Sequence, residues 1–151
     1  SSIVLHEEEK KQKYIWLSSS GKRAGISSGA PVCFYGDPDA ESVIITEGIL
    51  KAYVTYCLLS DIGVSVIGVP GVNVLGGLKE LLKQHHHKIA YEAYDMDKLE
   101  NEYVASAAEK VQQIAHTAGL QSTSLVWNTA YKGIDDWQLA LRQEEAKEKA
   151  A

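Results

Sequence analysis

The chain has 151 residues, of which 45% are hydrophobic and 23% are charged, and its formal net charge is -5. This length suits one domain, and the composition is that of a globular protein rather than a disordered or membrane-embedded one. The negative charge excludes a broadly basic surface for nucleic acid, so any such binding must depend on a local positive site.

No apolar run approaches the roughly 18 residues of a transmembrane helix, and no signal peptide precedes the first apolar run. We therefore expect a cytoplasmic protein with no membrane partner. The chain begins at Ser1 without an initiator methionine, which leads us to expect a fragment of a longer protein. Its two cysteines, Cys33 and Cys57, lie in apolar contexts and are expected to be reduced core residues.

Residues 1–40 differ from the rest of the chain in their pattern of apolar and turn-forming residues. Short apolar runs separated by charged or Ser/Gly-rich turns predict strands at residues 3–5, 13–17 and 31–35. We expect this region to form a small N-terminal β extension that packs on a main domain at residues 41–151.

From residue 41 onward, apolar runs of strand length alternate with runs of helix length. This order predicts an α/β fold with a four-stranded, mainly parallel sheet flanked by helices. The expected strands are residues 42–46, 63–69, 88–94 and 123–127, and the expected helices are residues 49–60, 75–84, 99–118 and 137–149.

Acidic side chains follow three of these four strands. Glu47 closes the first strand, Asp95 and Asp97 follow the third, and Asp135 and Asp136 follow the fourth. Because the carboxyl ends of parallel strands share one edge of a sheet, we expect the acids to converge there. Crowded carboxylates repel one another unless a cation relieves them. The pattern therefore predicts a site for Mg²⁺, or Mn²⁺ in its place, since hard cations prefer oxygen ligands.

Taken singly, each acidic motif has a plainer explanation. Glu47 can pair with Lys51 at the helical i, i+4 spacing, and such a surface pair contributes only about 0.3 to 0.5 kcal/mol. An Asp-x-Asp sequence can begin a turn, and the last two acids can cap the final helix. The occurrence of all three motifs at one predicted edge favours a shared site.

Basic and glycine residues accompany the acids. The set predicted to contact phosphate or nucleic acid comprises Lys51, Lys98, Lys132, Gly48 and Gly71. By contrast, three consecutive histidines at residues 85–87 precede the third strand, at the opposite edge. Adjacent side chains point in different directions, so we expect an exposed loop there rather than a zinc site.

These motifs resemble those of the Toprim domain, which is shared by bacterial primases, topoisomerases, OLD-type nucleases and recombination proteins. The resemblance covers about residues 42–140 and rests on Glu47-Gly48 after the first strand and on Asp95-Met96-Asp97 after a later one. The segment from Lys132 to Asp136 is similar to the third acidic motif of the primase branch. The whole segment resembles the Toprim-like domains that lie beside helicase-like modules in phage, plasmid and mobile-element replication proteins.

The resemblance implies a Rossmann-like Toprim fold and Mg²⁺-dependent nucleotidyl or phosphoryl transfer on DNA or RNA. It implies that Glu47 is the general acid or base and that Asp95 and Asp97 bind the metal. Asp135 would complete the metal site, with Asp136 beside it. Nucleotides, nucleic acid and other domains of the parent protein are the implied partners.

Three other functions fit parts of the pattern. A nuclease of the same fold uses the same metal geometry, and a Toprim domain without catalytic activity would bind nucleic acid or a partner protein. A haloacid dehalogenase-type phosphatase also carries Asp-x-Asp after a strand, but places it on the first strand. The third-strand position and Leu99 disagree with that class.

Overall fold

The computed structural model describes residues 31–150. The strands predicted at residues 3–5 and 13–17 therefore lie outside the described residues, as does most of the predicted N-terminal extension. Within the described part, five strands and four α-helices follow one another. They are β1 (Cys33–Tyr35), β2 (Ser42–Glu47), α1 (Ile49–Leu59), β3 (Ser65–Val69), α2 (Leu78–Gln84), β4 (Ile89–Glu92), α3 (Glu102–Thr117), β5 (Gln121–Ser124) and α4 (Ile134–Ala150). Short 3-10 turns cover Ser60–Ile62 and Met96–Leu99.

The five strands form one sheet in the order β1-β3-β2-β4-β5. Strands β2, β3, β4 and β5 run parallel to one another, and β1 alone is antiparallel, paired with β3. Strand β2 is central, and its β-branched sequence suits burial on both faces. Its last residue, Glu47, lies beside Val69 at the end of β3.

Side chains of β2 alternate between two cores. Val43 and Ile45 pack with helices α2 and α3 on one face, whereas Ile44 packs with α1 and α4 on the other. Helix α3 presents Ala107, Ala108, Val111 and Ala115 to the sheet at helical spacing. It begins after Asn101, whose side chain accepts the amide of Tyr103 at 2.9 Å.

The predicted α/β fold with a mainly parallel sheet is confirmed, with two adjustments. The segment at residues 31–35 was expected in an N-terminal extension packed on the main domain, but its strand β1 joins the main sheet as an antiparallel edge. The fourth predicted strand, at residues 123–127, begins earlier, because Gln121 to Ser124 pair with β4 in register. The chain then leaves the sheet at Leu125 and turns toward α4.

Two predictions of burial are wrong. Cys33 is buried, but Cys57 is exposed because it lies on the outer face of α1. His86 is exposed as expected, whereas His87 is buried and contacts Phe34 of β1. Its Nδ1 lies 2.6 Å from the carbonyl oxygen of Ala40, so this histidine serves packing at the amino-terminal edge of β4. No helix within residues 31–150 is long and apolar enough to cross a membrane.

Candidate functional site

The carboxyl end of β2 delivers Glu47 to the edge of the sheet. The next residue, Gly48, has φ 96°, a conformation that glycine adopts without strain, and starts α1. Its amide donates to the carbonyl oxygen of Val69 at 2.8 Å. The Gly48 amide is thus already used within the fold, and what this glycine contributes is the sharp change of direction from strand to helix.

Lys51, in the first turns of α1, reaches across to the acids. Its Nζ lies 2.5 Å from Oδ1 of Asp95 and 3.9 Å from Oε2 of Glu47. The Lys51 and Asp95 side chains are only 20% and 15% exposed, so this pair is shielded from solvent. Residues from β2, α1 and the turn after β4 thereby meet at one point, as the sequence predicts.

Asp135 joins the same group from the first turn of α4. Among residues 31–150, its Oδ1 is the one buried side-chain oxygen or nitrogen that lacks a hydrogen-bond partner. Burial raises the pKa of the Asp135 carboxyl and the charge of Asp136 raises it further, while the Lys51 ammonium acts in the opposite direction. A carboxylate in this position gains from a nearby positive charge.

Gly133 leaves the space in which these groups approach one another. A Cβ at this position would lie 2.6 Å from Oδ1 of Asp135, 3.2 Å from Oδ1 of Asp95 and 3.2 Å from Cε of Lys51. A larger residue would force the Asp135 carboxylate to shift and would crowd Asp95 and Lys51. The glycine therefore allows both acids and the lysine to share one small volume.

A backbone hydrogen bond joins the second and third acidic motifs. The amide of Met96 donates to the carbonyl oxygen of Lys132 at 2.9 Å. On the outer side of this contact, Lys132 Nζ lies 3.6 Å from Oδ2 of Asp97, and both side chains are more than half exposed. Asp95 and Asp97 thus contact different lysines, one shielded and one open to solvent.

The remaining predicted residues are more peripheral. Asp136 is exposed, and its Oδ2 lies 3.3 Å from the amide of Gly133, in keeping with a role in capping α4. Gly71 lies in the loop after β3, where its carbonyl oxygen accepts the amide of Val74. That loop is fixed to the end of β4 because the Tyr94 hydroxyl donates to the carbonyl oxygen of Val72 at 2.7 Å.

Lys98 is not brought to the acidic edge. Its side chain is only 5% exposed, and its Nζ lies 2.9 Å from Oε2 of Glu92 and donates to the carbonyl oxygen of Leu125. The reason is the charge of Glu92, which is buried within β4 and requires a cationic partner. Glu92 is the residue that the sequence analysis missed. Its signal was a carboxylate inside an otherwise apolar strand.

The Lys98 region also supports the segment that carries Asp135. The Lys98 ammonium lies 5.4 Å from the ring centroid of Trp127, whose indole stacks on Trp137 at 5.6 Å. The Trp127 Nε1 donates to the carbonyl oxygen of Tyr131 at 2.7 Å. These contacts hold both ends of the loop between β5 and α4.

The carboxylates suit a hard cation. Within residues 31–150, no three side chains of His, Cys, Asp or Glu are grouped closely enough to hold a metal ion by themselves, so a cation here would also need water or phosphate oxygens as ligands. However, the unpartnered oxygen of Asp135 and the small volume above Gly133 fit a cation bound by carboxylate oxygens. Asp95 and Asp135 would be its main ligands, with Glu47 at the rim.

The fold and the acidic edge define an α/β protein with a cluster of carboxylates and a shielded lysine at the carboxyl ends of its parallel strands. Residues 37–145 match a family model described as a domain of unknown function (DUF3854). The chain belongs to this family.

One solved structure similar to the chain is that of the bacteriophage T7 lagging-strand DNA polymerase interacting with primase domains of two gp4 subunits bound to an RNA/DNA hybrid and dTTP. The similarity has a TM-score of 0.47 and 17% sequence identity, over 74% of this chain and 54% of that chain. The chain thus spans about half the length of its structural neighbour. No curated protein sequence matches it.

Proposed function

We propose that the chain is a Toprim-type domain of a primase-like DNA replication protein and performs Mg²⁺-dependent nucleotidyl transfer on nucleic acid. The observation that carries this proposal is the meeting of Glu47, Asp95 and Asp135 around Lys51 at the carboxyl edge of the sheet. The three acids come from three separate segments. Structural caps or isolated surface pairs do not require them to converge.

Each group has a defined task in this proposal. Asp95 and Asp135 would hold the cation, with Asp97 and Asp136 adjacent, and Mg²⁺ or Mn²⁺ would supply charge stabilisation to the attacking and leaving oxygens. Glu47, 33% exposed at the rim, accepts the proton of the attacking hydroxyl. Lys51 and Lys132 contact phosphate oxygens, and the loop at Gly71 borders the nucleic acid backbone.

The proposed reaction is an in-line displacement. The oxygen of a primer 3′-hydroxyl forms a bond to the α-phosphorus of a nucleoside triphosphate, and the bond from that phosphorus to the β-bridging oxygen breaks. Pyrophosphate leaves, and the hydroxyl proton passes to Glu47. The substrates are a nucleoside triphosphate and a nucleic acid strand, and other domains of the parent protein, such as a helicase-like module, would present the template.

Primer extension and strand cleavage separate this proposal from a nuclease of the same fold. The protein would be incubated with Mg²⁺ or Mn²⁺ and either a primed template with nucleoside triphosphates or labelled single- and double-stranded DNA. Extension supports the primase-type function. Cleavage without extension would instead assign the site to hydrolysis, with water in place of the 3′-hydroxyl.

Glu47→Gln and Asp95→Asn test whether the activity belongs to this site. We expect each to reduce turnover by about 10²-fold or more, the usual range for a lost general base or charge-stabilising group. Asp39→Asn is the matched control, because Asp39 is an exposed acid near the opposite edge, beside His86. Unchanged turnover in both site variants would refute the assignment. Full activity of the control is required.

A further inference from the structure

The lysine at the centre of the acidic edge differs from the other lysines near it. Lys51 Nζ lies directly against Asp95, with Glu47 3.9 Å away, and its side chain is 20% exposed. The Lys132 side chain is 68% exposed and reaches Asp97 only at 3.6 Å. Lys51 therefore occupies the shielded position between the carboxylates, whereas Lys132 lies at the open margin.

The Lys51 ammonium contacts the carboxylate oxygen that a cation held by Asp95 would use. A divalent ion held by Asp95 and Asp135 would need carboxylate oxygens at about 2.1 Å for Mg²⁺. The same Asp95 oxygen is in contact with the Lys51 Nζ. The lysine Cε and the Asp135 oxygen both border the space that a side chain at Gly133 would occupy. An ammonium and a metal ion cannot both fill this space, and their like charges repel.

The backbone of Lys51 is fixed, so only its side chain can yield. The carbonyl oxygen of Lys51 accepts the Thr55 hydroxyl at 2.8 Å, and α1 packs against β3 and α4 at this end of the sheet. The flexible four-carbon stem of the lysine lets its ammonium move away from the carboxylates to the solvent-exposed rim of the site, while the helix stays in place. This rim is where the proposed phosphate substrate would lie.

We propose that Lys51 is a built-in counter-ion that competes with the divalent cation for the carboxylates and, once displaced, contacts the substrate phosphate. The inference rests on the proposed function, because it concerns the same site. It explains how three acids share a partly buried volume within the fold itself. It also makes metal binding and substrate binding successive: the cation releases the lysine that then binds the phosphate.

Metal titration tests the competition without any activity measurement. Mg²⁺ and Mn²⁺ would be titrated into the wild-type chain, Lys51→Met and Lys51→Arg, and binding measured by calorimetry. We expect Lys51→Met to lower the Kd by at least about tenfold, because a charge within a few ångströms changes a carboxylate's affinity for a proton by ten times or more. Lys51→Arg keeps the charge and should remain near the wild-type Kd.

Lys110→Met is the matched control, since Lys110 is an exposed lysine on α3 whose Nζ lies 3.5 Å from Asn73, away from the acids. Its Kd should equal that of the wild type. Thermal unfolding without metal would verify that each variant is folded. If Lys51→Met fails to fold, Lys51→Gln replaces it, and the Lys51→Arg result alone still opposes the inference if its Kd falls tenfold.

The outcomes separate the two proposals. If the wild type binds metal and Lys51→Met binds it no more tightly, Lys51 is not a competing counter-ion, although the proposed function stands. If no variant binds metal at millimolar concentration, the proposed function is refuted together with the inference. If Lys51→Met binds metal more tightly and its kcat for primer extension falls, both the competition and the later phosphate contact are supported.

Discussion

Lys98 and Glu92 form an ion pair in the interior of the protein, with Nζ 2.9 Å from Oε2 and side chains that are 5% and 1% exposed. The pair is fully bonded. Glu92 also accepts the amide of Tyr94 at 2.7 Å and lies against the hydroxyl of Ser124, and Lys98 donates to a backbone carbonyl. The contact joins β4, the following turn and β5.

Removal of one partner should leave the other charge buried and unpaired. We expect Lys98→Met to lower the free energy of unfolding by about 3 to 5 kcal/mol, the usual cost of breaking such a pair. Urea denaturation followed by tryptophan fluorescence would measure the loss. Lys132→Met is the comparison, because its 68% exposed ammonium makes a surface contact worth at most about 1 kcal/mol.

The double variant Glu92→Gln with Lys98→Met tests the cause of that loss. It removes both charges, so it should be more stable than Lys98→Met alone. If the losses of unfolding free energy in the single variants Glu92→Gln and Lys98→Met simply add in the double variant, packing of the lysine stem, rather than the unpaired carboxylate, dominates.

Gly68 in β3 is required by the close approach of α1. A Cβ at this position would lie 2.7 Å from Cβ of Ala52 and 3.2 Å from both the carbonyl oxygen of Gly48 and Cα of Ile49. We expect Gly68→Ala to destabilise the protein by about 1 to 3 kcal/mol through overpacking. Thermal or urea unfolding would measure it.

Ala52→Gly provides the matched test of that contact. In the wild-type chain it should cost about 1 kcal/mol of helix stability. In the Gly68→Ala background it should cost clearly less, because it removes the nearest colliding atom. Equal costs in the two backgrounds would exclude a direct Ala52 clash.

The two cysteines should differ in reactivity. Burial raises the pKa of the Cys33 thiol to about 11, so it is protonated and shielded at neutral pH, whereas Cys57 is exposed. An aromatic disulfide reagent should modify one thiol per folded chain rapidly and the second only on unfolding. Cys57→Ser should abolish the fast phase and Cys33→Ser should retain it. Rapid reaction of Cys57→Ser would contradict the burial of Cys33.

The contact between α4 and the end of α1 should be sensitive to acid. The Arg142 guanidinium bonds both oxygens of Asp61 and holds the pKa of that carboxyl below its usual 3.8. A lowered pKa in the folded state means that the stabilisation is present above pH 3.8 and is lost as the pH falls through the folded-state value. The stability difference between wild type and Asp61→Asn should therefore exist at neutral pH and disappear in strong acid.

High salt should reduce the same difference at neutral pH, because the pair is exposed. Unfolding free energies at several pH values and two salt concentrations would give the comparison. A difference that persists below the folded-state pKa would mean that the asparagine acts through the backbone rather than through charge.

Sequence periodicity was sufficient for the central strands and the long helix. The run of β-branched residues in β2 and the spacing of Ala108, Val111 and Ala115 in α3 each depend on local alternation, which is visible without a structure. The last strand was predicted at residues 123–127 rather than at its observed position, residues 121–124, because the observed sequence, Gln-Ser-Thr-Ser, is polar. Pairing with β4, rather than burial, makes it a strand.

The candidate site was predictable in outline because parallel strands bring their carboxyl ends together. The partners of individual lysines were not. Lys98 follows Asp97 directly, yet the 3-10 turn points it inward to Glu92. The helical spacing allows Lys51 to pair with Glu47, but its closer contact is Asp95, 44 residues away along the chain. Such choices depend on which charges are buried, and only the folded arrangement decides that.

The hydrogen bond from the Met96 amide to the Lys132 carbonyl has a practical consequence for protein engineering. The Asp-x-Asp turn and the loop that leads to Asp135 form one structural unit, although they lie far apart along the chain. A graft of the turn alone onto another α/β scaffold would leave the Met96 amide without its acceptor and would omit Asp135. A working transplant must carry both segments, including Gly133 between Lys132 and Asp135.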